Sequence, residues 1–326
     1  MAFLRLIRWQ NLLIVALTMV LMRYAVIEPL LGKLSVVLSH TGDQARMTLQ
    51  STFPDFILLV FATVCITAAG YVINDYFDIR TDLINKGKVI VGTKIPRRQA
   101  MMWHNVFNVA GVSAGFYISW RVGYIWLGAL FLVVSGLLYF YSASYKRQFL
   151  IGNIIVAVLT AMVPLLVVIY EWPAIYRYYI VNAVSMPDFN FVFYWVGGFA
   201  LFAFLTTLTR EIVKDIEDFE GDLAYGRNTV PIVLGILSAR IVTVSLVIIT
   251  IALLYLTWYY FVNDTITLVY VSAFIVLPLL CVVYSVVISK SKKRFHTASS
   301  IMKIVMLTGI LYSVLVKLIL TWNLLG

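Results

Sequence analysis

Apolar residues run along this chain in long blocks that are separated by shorter polar segments. Each block holds about twenty residues, the length that an α-helix needs to cross the hydrocarbon core of a bilayer. The pattern therefore predicts an all-α polytopic membrane protein. We expect nine membrane-spanning helices, over residues 11–31, 54–74, 99–121, 123–142, 149–170, 189–210, 237–262, 264–289 and 301–324.

The composition agrees with this pattern. Of the 326 residues, 62% are hydrophobic and 12% are charged, whereas soluble domains average about 45–50% and about 25%. The longest polar stretches are 75–98, 211–229 and 289–300, and the connections 32–53 and 171–188 carry no chemical motif. We therefore expect one domain over residues 1–326. The first block has no clear small-residue cleavage site, so we interpret it as a retained span and not a signal peptide.

The basic residues are distributed unevenly between the two predicted sides. The net charge is +10. If the N-terminus is cytoplasmic, 19 of the 25 Lys and Arg residues lie at the cytoplasmic side. The other side holds Arg23, Lys33, Arg46, Arg121, Arg177 and Lys317. This asymmetry follows the positive-inside rule and predicts N-in, C-out topology. The charge is therefore explained by the membrane, and we expect no nucleic-acid partner.

The cysteines and histidines of the sequence do not indicate a disulfide framework or a zinc site. The two cysteines lie inside predicted spans, and the three histidines are scattered along the chain. These residues form neither a disulfide framework nor a zinc-ligand pattern.

Two aspartate-rich segments share one spacing. "NDYFDIRTD" (74–82) closes the second predicted span, and "REIVKDIEDFEGD" (210–222) closes the sixth. Each contains D-x-x-D-x-x-x-D, and corresponding aspartates are 140 residues apart. The repeated aspartates are Asp75, Asp78 and Asp82, then Asp215, Asp218 and Asp222. Both segments lie where an inward-running span meets the predicted cytoplasmic side.

If each segment is helical, its three aspartates lie on one face. Asn74 lies close to the first face, and Glu211 extends the second. Like charges at these spacings repel, and the C-terminal end of a helix favours cations. A bound cation is therefore expected, and neutralising Asp78 or Asp218 should leave the metal-free stability unchanged or slightly higher. Oxygen ligands without His or Cys favour Mg²⁺, with Mn²⁺ possible.

Basic residues are interleaved with both segments. They are Arg80, Lys86 and Lys88 near the first, Arg210, Lys214 and Arg227 near the second, and Lys146 and Arg147 in the loop "YSASYKR". Carboxylates, a hard cation and fixed bases together indicate a diphosphate site, and the predicted bundle indicates a diphosphate with a lipid tail. The alternatives are solvated acidic loops, a topological role for Lys146 and Arg147, and an ordinary interfacial belt for the aromatics at 139–141.

These residues resemble the UbiA-type intramembrane prenyltransferases. The first motif of that superfamily, N-D-x-x-D-x-x-x-D, matches Asn74–Asp82, and the second, D-x-x-D-x-x-x-D, matches Asp215–Asp222. "YSASYKRQFLIGN" (141–153) is similar to the family's segment after the fourth helix, at Tyr141, Ser142, Lys146 and Asn153. "REIVKDIEDFEGD" is most similar to the digeranylgeranylglyceryl phosphate synthase branch, although quinone-forming and chlorophyll- or haem-forming members share much of it.

The resemblance implies a helical bundle around a central cavity. The two motifs would hold Mg²⁺ and the diphosphate of an isoprenyl donor, and a side opening to the bilayer would admit the hydrophobic tail. The reaction would be Mg-dependent ionisation of an allylic isoprenyl diphosphate, followed by prenyl transfer to a lipophilic or amphipathic acceptor such as a prenylglyceryl phosphate or a quinone precursor. The site would face the cytoplasm of a prokaryotic plasma membrane.

The predicted site residues fall into groups by role. The catalytic carboxylates are Asp78, Asp215 and Asp218. The metal and diphosphate ligands are Asn74, Asp75, Asp78, Asp82, Asp215, Asp218 and Asp222. The cations for the diphosphate are Lys146, Arg210, Lys214 and Arg80. The other substrate contacts are Tyr141, Ser142, Asn153, Lys86 and Lys88.

The loop after the first motif departs from the family pattern. The family continues with Asn-x-Pro-x-Arg-Pro, whereas this chain keeps Asn85 and has no proline before Pro96. Lys86 and Lys88 in this loop either enforce topology or bind an anionic acceptor. Two other functions stay open: a membrane terpene cyclase with the same ionisation step, and a transporter of lipid-linked or organic anions. A transporter usually places its polar residues at the bilayer midplane, and here they lie at one face.

Overall fold

The computed structural model describes residues 1–87, 89–288 and 291–322, and it is almost entirely helical. In the first half, the α-helices are α1 (Ala2–Leu6), α2 (Trp9–Leu21), α3 (Glu28–Leu31), α4 (Phe53–Phe77), α5 (Ile79–Lys86), α6 (Arg97–Arg121), α7 (Gly128–Ala143) and α8 (Ile151–Asn182). In the second half, they are α9 (Asn190–Glu217), α10 (Phe219–Ala224), α11 (Val230–Leu234), α12 (Ile236–Thr257), α13 (Thr265–Tyr270), α14 (Leu277–Ile288) and α15 (Lys292–Trp322).

Short irregular helices interrupt or join these elements. Met22–Ile27, Trp258–Val262 and Val271–Val276 are π-helical, and Ile125–Leu127 and Tyr145–Arg147 are 3₁₀-helical. A small antiparallel hairpin pairs β1 (Ser35–Val37) with β2 (Gln44–Arg46). The hairpin lies between the first two long helices, in a connection that the sequence predicts only as polar.

Eight helical stretches in the described part of the chain are long and apolar enough to cross a membrane. They are Trp9–Leu31, Phe53–Phe77, Ile125–Ala143, Ile151–Asn182, Asn190–Glu217, Ile236–Val262, Thr265–Ile288 and Lys292–Thr321. Each corresponds to a predicted span. The protein is therefore a multi-pass membrane protein.

The ninth predicted span, 99–121, corresponds to α6. This helix has 25 residues and packs along α4, but it is less apolar than the eight others. Nine crossings therefore remain a prediction.

The fifth predicted span is longer than expected. It was expected to end at residue 170, but α8 continues to Asn182 and contains both Pro164 and Pro173. Glu171, the first polar residue beyond the predicted end, is 1% exposed and lies 3.2 Å from Arg23 in an ion pair. This partner is distant in sequence, so the hydrophobic pattern alone places the end of the helix too early.

Helix α9 connects two apolar clusters. Its first half contributes Val192 and Val196 to a cluster that also contains Ile66 of α4. Its second half contributes Ile212 to a cluster that also contains Met302 of α15. The two helices that carry the aspartate motifs are therefore packed into one continuous bundle.

Both aspartate motifs break their helices at the same point. Helix α4 ends at Phe77 and α5 begins at Ile79, with Asp78 between them at φ −91° and ψ 4°. Helix α9 ends at Glu217 and α10 begins at Phe219, with Asp218 between them at φ −92° and ψ 9°. The expectation of one unbroken helical face is therefore wrong for both motifs. The repeat is nevertheless present in the backbone as well as in the sequence.

Candidate active site

One guanidinium bridges the two aspartate motifs. Arg227 Nη2 lies 2.6 Å from Asp78 Oδ1, and Arg227 Nη1 lies 3.1 Å from Asp222 Oδ1. The same Nη2 also donates to Thr81 Oγ1 at 3.0 Å. Residues from both motifs are therefore within reach of a single planar group, so the fold brings the two motifs together as predicted.

Lys146 adds a second cation to Asp78. Its Nζ lies 2.7 Å from Asp78 Oδ1 and 3.3 Å from Asn74 Oδ1. The side chain of Lys146 is only 5% exposed. An ordinary topology-determining lysine would reach toward water, so this burial favours a functional or structural role over the topological alternative.

The loops that carry Lys146 and Arg227 are fixed against each other. The backbone N–H of Asn228 donates to the carbonyl of Arg147 at 2.8 Å. At the start of α8, a Cβ on Gly152 would lie 2.7 Å from Lys146 Cα. Real Cβ atoms do not approach this closely, so glycine at 152 allows α8 to pass directly against the Lys146 backbone.

A second glycine permits the close approach of the two motif helices. Gly221 of α10 faces Asn85 of α5, and a Cβ at Gly221 would collide with the Asn85 side chain. The Asn85 Oδ1 atom is buried and has no hydrogen-bond partner among the described residues. Asn85 therefore brings an unsatisfied oxygen to the contact between the motifs.

The remaining motif carboxylates also have partners within the chain. Asp75 Oδ1 accepts from Arg8 Nη2 at 2.8 Å, and Asp215 Oδ2 accepts from Asn153 Nδ2 at 2.8 Å. Asp82 and Asp218 are half-buried at the same end of the bundle and make polar interactions of their own.

Arg8 is a residue of the site that the sequence does not predict. Arg8 joins α1 to α2 in a left-handed conformation, with φ 50° and ψ 54°. A non-glycine residue in this region carries backbone strain, which is typical of functional positions. Its guanidinium also lies 4.8 Å from the centre of the Tyr71 ring. The left-handed conformation and the contact with Asp75 are invisible in sequence, where Arg8 reads only as a positive charge that precedes a span.

The predicted cations on α9 lie beside acidic neighbours. Arg210 Nη1 lies 2.7 Å from Glu211 Oε1, and Lys214 interacts electrostatically with Glu211 and Asp218. Arg80, in contrast, is exposed on α5, and the structure does not bring it into this network. The interleaved bases near the second motif are therefore closer to the carboxylates than the base near the first.

The predicted substrate contacts are only partly described by the structure. Tyr141 is half-buried and within electrostatic range of Asp78 and Asp215. Ser142 is fully buried, and its Oγ has no hydrogen-bond partner among the described residues. The side chain of Lys86 and the whole of Lys88 lie outside the described residues.

Burial and the two cations set the protonation of this network. Burial raises the pKa of Asp78, but Lys146 and Arg227 outweigh it, so the net pKa lies below its usual value. Burial raises the pKa of Asp222 to about 6, and repulsion by Asp218 and Asp78 adds to this rise, while Arg227 and Lys214 oppose it. Burial likewise lowers the pKa of Lys146 to about 8 in spite of Asp78. Asp222 is thus the less fully compensated of the two bridged carboxylates.

These contacts change the expected charge balance among the aspartates. The aspartates were expected to repel each other without compensation until a cation binds. That premise is wrong for Asp78, because Lys146 and Arg227 both contact it. Removing its charge would take one anionic partner from each of two largely buried cations, so it would lower stability.

The oxygen donors of the two motifs suit a magnesium ion. Among the described residues, no three Asp, Glu, His or Cys side chains lie close enough together to hold a metal ion. Mg²⁺ is commonly held by one or two carboxylates together with substrate phosphates. Asp78 and Asp222, bridged by one guanidinium, and the unsatisfied Asn85 Oδ1 fit this second arrangement.

Solved structures share the fold. A structure of digeranylgeranylglyceryl phosphate synthase matches with a TM-score of 0.62 at 22% identity, over 96% of this chain and 98% of that one. A UbiA homologue from Archaeoglobus fulgidus, solved with DMAPP and Mg²⁺, matches with a TM-score of 0.54 at 15% identity, over 96% and 99%. At these identities the likeness concerns the fold alone.

Sequence comparison identifies the family. The chain is 32% identical over 255 residues to the digeranylgeranylglyceryl phosphate synthase of Methanosphaera stadtmanae. The aligned residues cover 76% of this chain and 84% of that protein. It is 34% identical over 179 residues to the synthase of Thermococcus kodakarensis, and the aligned residues cover 55% of this chain and 56% of that protein. The family model of the UbiA prenyltransferases matches residues 42–307. The resemblance inferred from the motifs is confirmed, and the chain belongs to the UbiA prenyltransferase family.

Proposed function

We propose that this protein transfers a prenyl group from an allylic isoprenyl diphosphate to a lipophilic or amphipathic acceptor, and that the reaction depends on Mg²⁺. The observation that carries this proposal is the bridge by Arg227 between Asp78 and Asp222, which brings the two motifs to one point. Membership of the UbiA family makes the chain a prenyltransferase. The homologue solved with DMAPP and Mg²⁺ supports the choice of donor class and metal.

The carboxylates of both motifs would hold the metal together with the donor diphosphate. Bound Mg²⁺ supplies positive charge that stabilises the leaving diphosphate as the allylic C–O bond ionises. Asp78, Asp215 and Asp218 are the proposed catalytic carboxylates. The wider ligand set is Asn74, Asp75, Asp78, Asp82, Asp215, Asp218 and Asp222.

The cations now paired with carboxylates would bind the diphosphate oxygens. Lys146 and Arg227 are the nearest to both motifs, and Arg8 lies at Asp75. Arg210 and Lys214 extend the positive charge along α9. Arg80 is the least supported member of the predicted set because it is exposed. Burial of Lys146 strengthens its attraction to a diphosphate, since electrostatic interactions are larger where water is excluded.

We propose a glyceryl phosphate acceptor, in agreement with the names of the relatives from Methanosphaera stadtmanae and Thermococcus kodakarensis. Tyr141, Ser142 and Asn153 are the proposed substrate contacts at the site. Lys86 and Lys88 are proposed to bind an anionic group of the acceptor, and this proposal is based on the sequence alone.

The proposed membrane arrangement is a single domain that crosses nine times. Helix α6 would be the ninth crossing, since it has 25 residues and packs beside α4. The basic residues favour a cytoplasmic N-terminus and place both motifs at the cytoplasmic face. The membrane would then be a prokaryotic plasma membrane.

Incubation of the purified chain with labelled prenyl diphosphates tests this function. Diphosphate release should require Mg²⁺, and a prenylated product should appear only when an acceptor such as a glyceryl phosphate is added. Acceptor-independent formation of a cyclic hydrocarbon would establish the cyclase alternative instead. Uptake of an intact lipid-linked anion into vesicles, with no turnover, would establish the transporter alternative.

A further inference from the structure

A cavity of about 450 Å³ lies at the end of the bundle opposite the aspartate motifs. Its polar lining includes Gln50, Arg121, Arg177, Tyr178 and Asn182. Asp55 at the start of α4 also lines it, whereas Asp75 lies near the other end of the same helix. Twenty residues of α-helix span about 30 Å, so this cavity is separate from the proposed active site.

The cavity is lined by one exposed arginine that has no charged partner among the described residues. Arg121 donates to Asp55 through Nε at 3.0 Å and through Nη2 at 3.2 Å, so that pair is neutral. Arg177 lines the same cavity and has no hydrogen bond or ion pair with any residue that the structure describes. A guanidinium offers five donors in a planar fork that matches a phosphate group.

The chain makes room for this guanidinium at the turn after α6. A Cβ on Gly123 would lie 3.2 Å from Arg177 Cζ and closer still to its Nη1. Gly123 also has φ +84°, a conformation that side chains disfavour. Glycine at this turn therefore allows the Arg177 head group to lie directly over the backbone.

A buried ion pair fixes the adjoining wall of the cavity. Glu171 Oε1 accepts from the backbone N–H groups of Gln50 at 2.7 Å and Ser51 at 2.9 Å. Glu171 itself pairs with Arg23, which is 4% exposed. Both charges are satisfied within the protein, so the pair holds this wall in place without engaging Arg177.

The surroundings of the cavity are those of a membrane–water interface. Trp120, Tyr124 and Trp126 are all exposed at the turn between α6 and α7, and Trp126 is 85% exposed. Aromatic side chains of this kind gather at the level of lipid headgroups. If these aromatics mark the headgroup level here as well, the cavity opens near the lipid phosphates.

We propose that this cavity binds a phosphate group, carried by a lipid headgroup or free in solution, with Arg177 as its anchoring cation. The inference does not depend on the proposed prenyl transfer, because it uses different residues at the other end of the bundle.

Binding to the full-length chain in lipid-free detergent tests the proposal. The probes are phosphatidylglycerol, a diacylglycerol with the same acyl chains and no phosphate, and inorganic phosphate. We expect saturable binding of phosphatidylglycerol and none of diacylglycerol. Arg177→Gln should weaken phosphatidylglycerol binding about tenfold through the loss of one charge-assisted contact. Arg46→Gln is the matched control, because Arg46 is an exposed arginine on β2 outside the cavity.

The source of the phosphate follows from the third probe. If inorganic phosphate binds with the same dependence on Arg177 and displaces the lipid, free phosphate is the ligand. If only the lipid binds, the ligand is a headgroup.

The proposal is overturned if Arg177→Gln binds as tightly as the parent chain, or if Arg46→Gln loses as much affinity. Arg177→Lys keeps the charge without the fork and should bind between the parent and Arg177→Gln. Prenyl diphosphate turnover should be unchanged in all three variants.

Discussion

Arg227 and Asp78 are 149 residues apart in sequence, and their side chains lie 2.6 Å apart. This contact joins the loop after the second motif to the helix break of the first. It places a positive group between carboxylates that are otherwise expected to repel each other.

Asp78→Asn should lower the stability of the ligand-free protein. The substitution removes the anionic partner of Lys146 and one of the two anionic partners of Arg227, whose side chains are 5% and 13% exposed. Breaking a buried pair from one side costs about 3 kcal/mol. Thermal unfolding in detergent measures the effect, with Asp43→Asn as a control at an exposed aspartate. Equal melting temperatures for the two variants would contradict the role of Asp78 in the network.

Asp218→Asn should lower turnover roughly 10²–10³-fold, the range for the loss of one group that stabilises transition-state charge. Glu220→Gln is the matched control, since Glu220 is an exposed carboxylate two residues further along. Steady-state release of diphosphate from a prenyl diphosphate gives the rates. If both variants turn over like the parent chain, Asp218 belongs to a solvated acidic loop.

Mg²⁺ and diphosphate should stabilise the protein together more than either does alone. No three metal-ligating side chains converge among the described residues, and Asp78 and Asp222 are already paired with Arg227. The metal therefore needs phosphate oxygens to complete its coordination. Melting temperatures with Mg²⁺, with inorganic pyrophosphate and with both test this, and Mg²⁺ with sulfate is the control. A full shift with Mg²⁺ alone would mean that the protein holds the metal without substrate.

Gly221→Ala should reduce both stability and turnover. The added methyl group collides with the Asn85 side chain and must displace it from the contact between the motif helices. Overpacking of this kind costs about 1–3 kcal/mol. Gly198→Ala provides the comparison, because a Cβ there meets nothing within 4 Å. Unfolding temperature and diphosphate release should fall for the first variant only, and normal behaviour of both would show that the approach at Gly221 is unimportant.

Cysteines introduced at the two ends of the bundle should report opposite sides of the membrane. Arg80→Cys lies at the motif end and Asp43→Cys at the hairpin end, and both positions are exposed. Cys281→Ser gives the background, since Cys281 is the exposed native cysteine among the two. In right-side-out vesicles, an impermeant maleimide should label only Asp43→Cys. Labelling of Arg80→Cys before lysis would reverse the proposed orientation.

The sequence predicts the site best where the signal is local. The spacing of the aspartates and the segment 141–153 identify the family, and eight predicted spans correspond to helices long enough to cross. The contacts that link these segments depend on residues far apart, such as Arg8 with Asp75 and Arg227 with Asp78. The hydrophobic periodicity of the sequence contains no information about contacts between such distant residues. Repulsion between neighbours on one helix does not decide the charge balance at Asp78, because Lys146 and Arg227 come from distant loops.

The network around Arg227 also bears on how the protein is made. A carboxylate cluster that lacked internal counter-ions would need metal before its helices could pack, so assembly would depend on the supply of divalent cations. Here Lys146, Arg227 and Arg8 are paired with motif carboxylates in the fold without any metal. Catalysis would then require Mg²⁺, whereas membrane insertion and folding of the protein would not. The hypothesis predicts that the chain inserts and matures normally when newly made membranes are kept in EDTA, and recovers turnover when Mg²⁺ is returned; failure to mature would refute it.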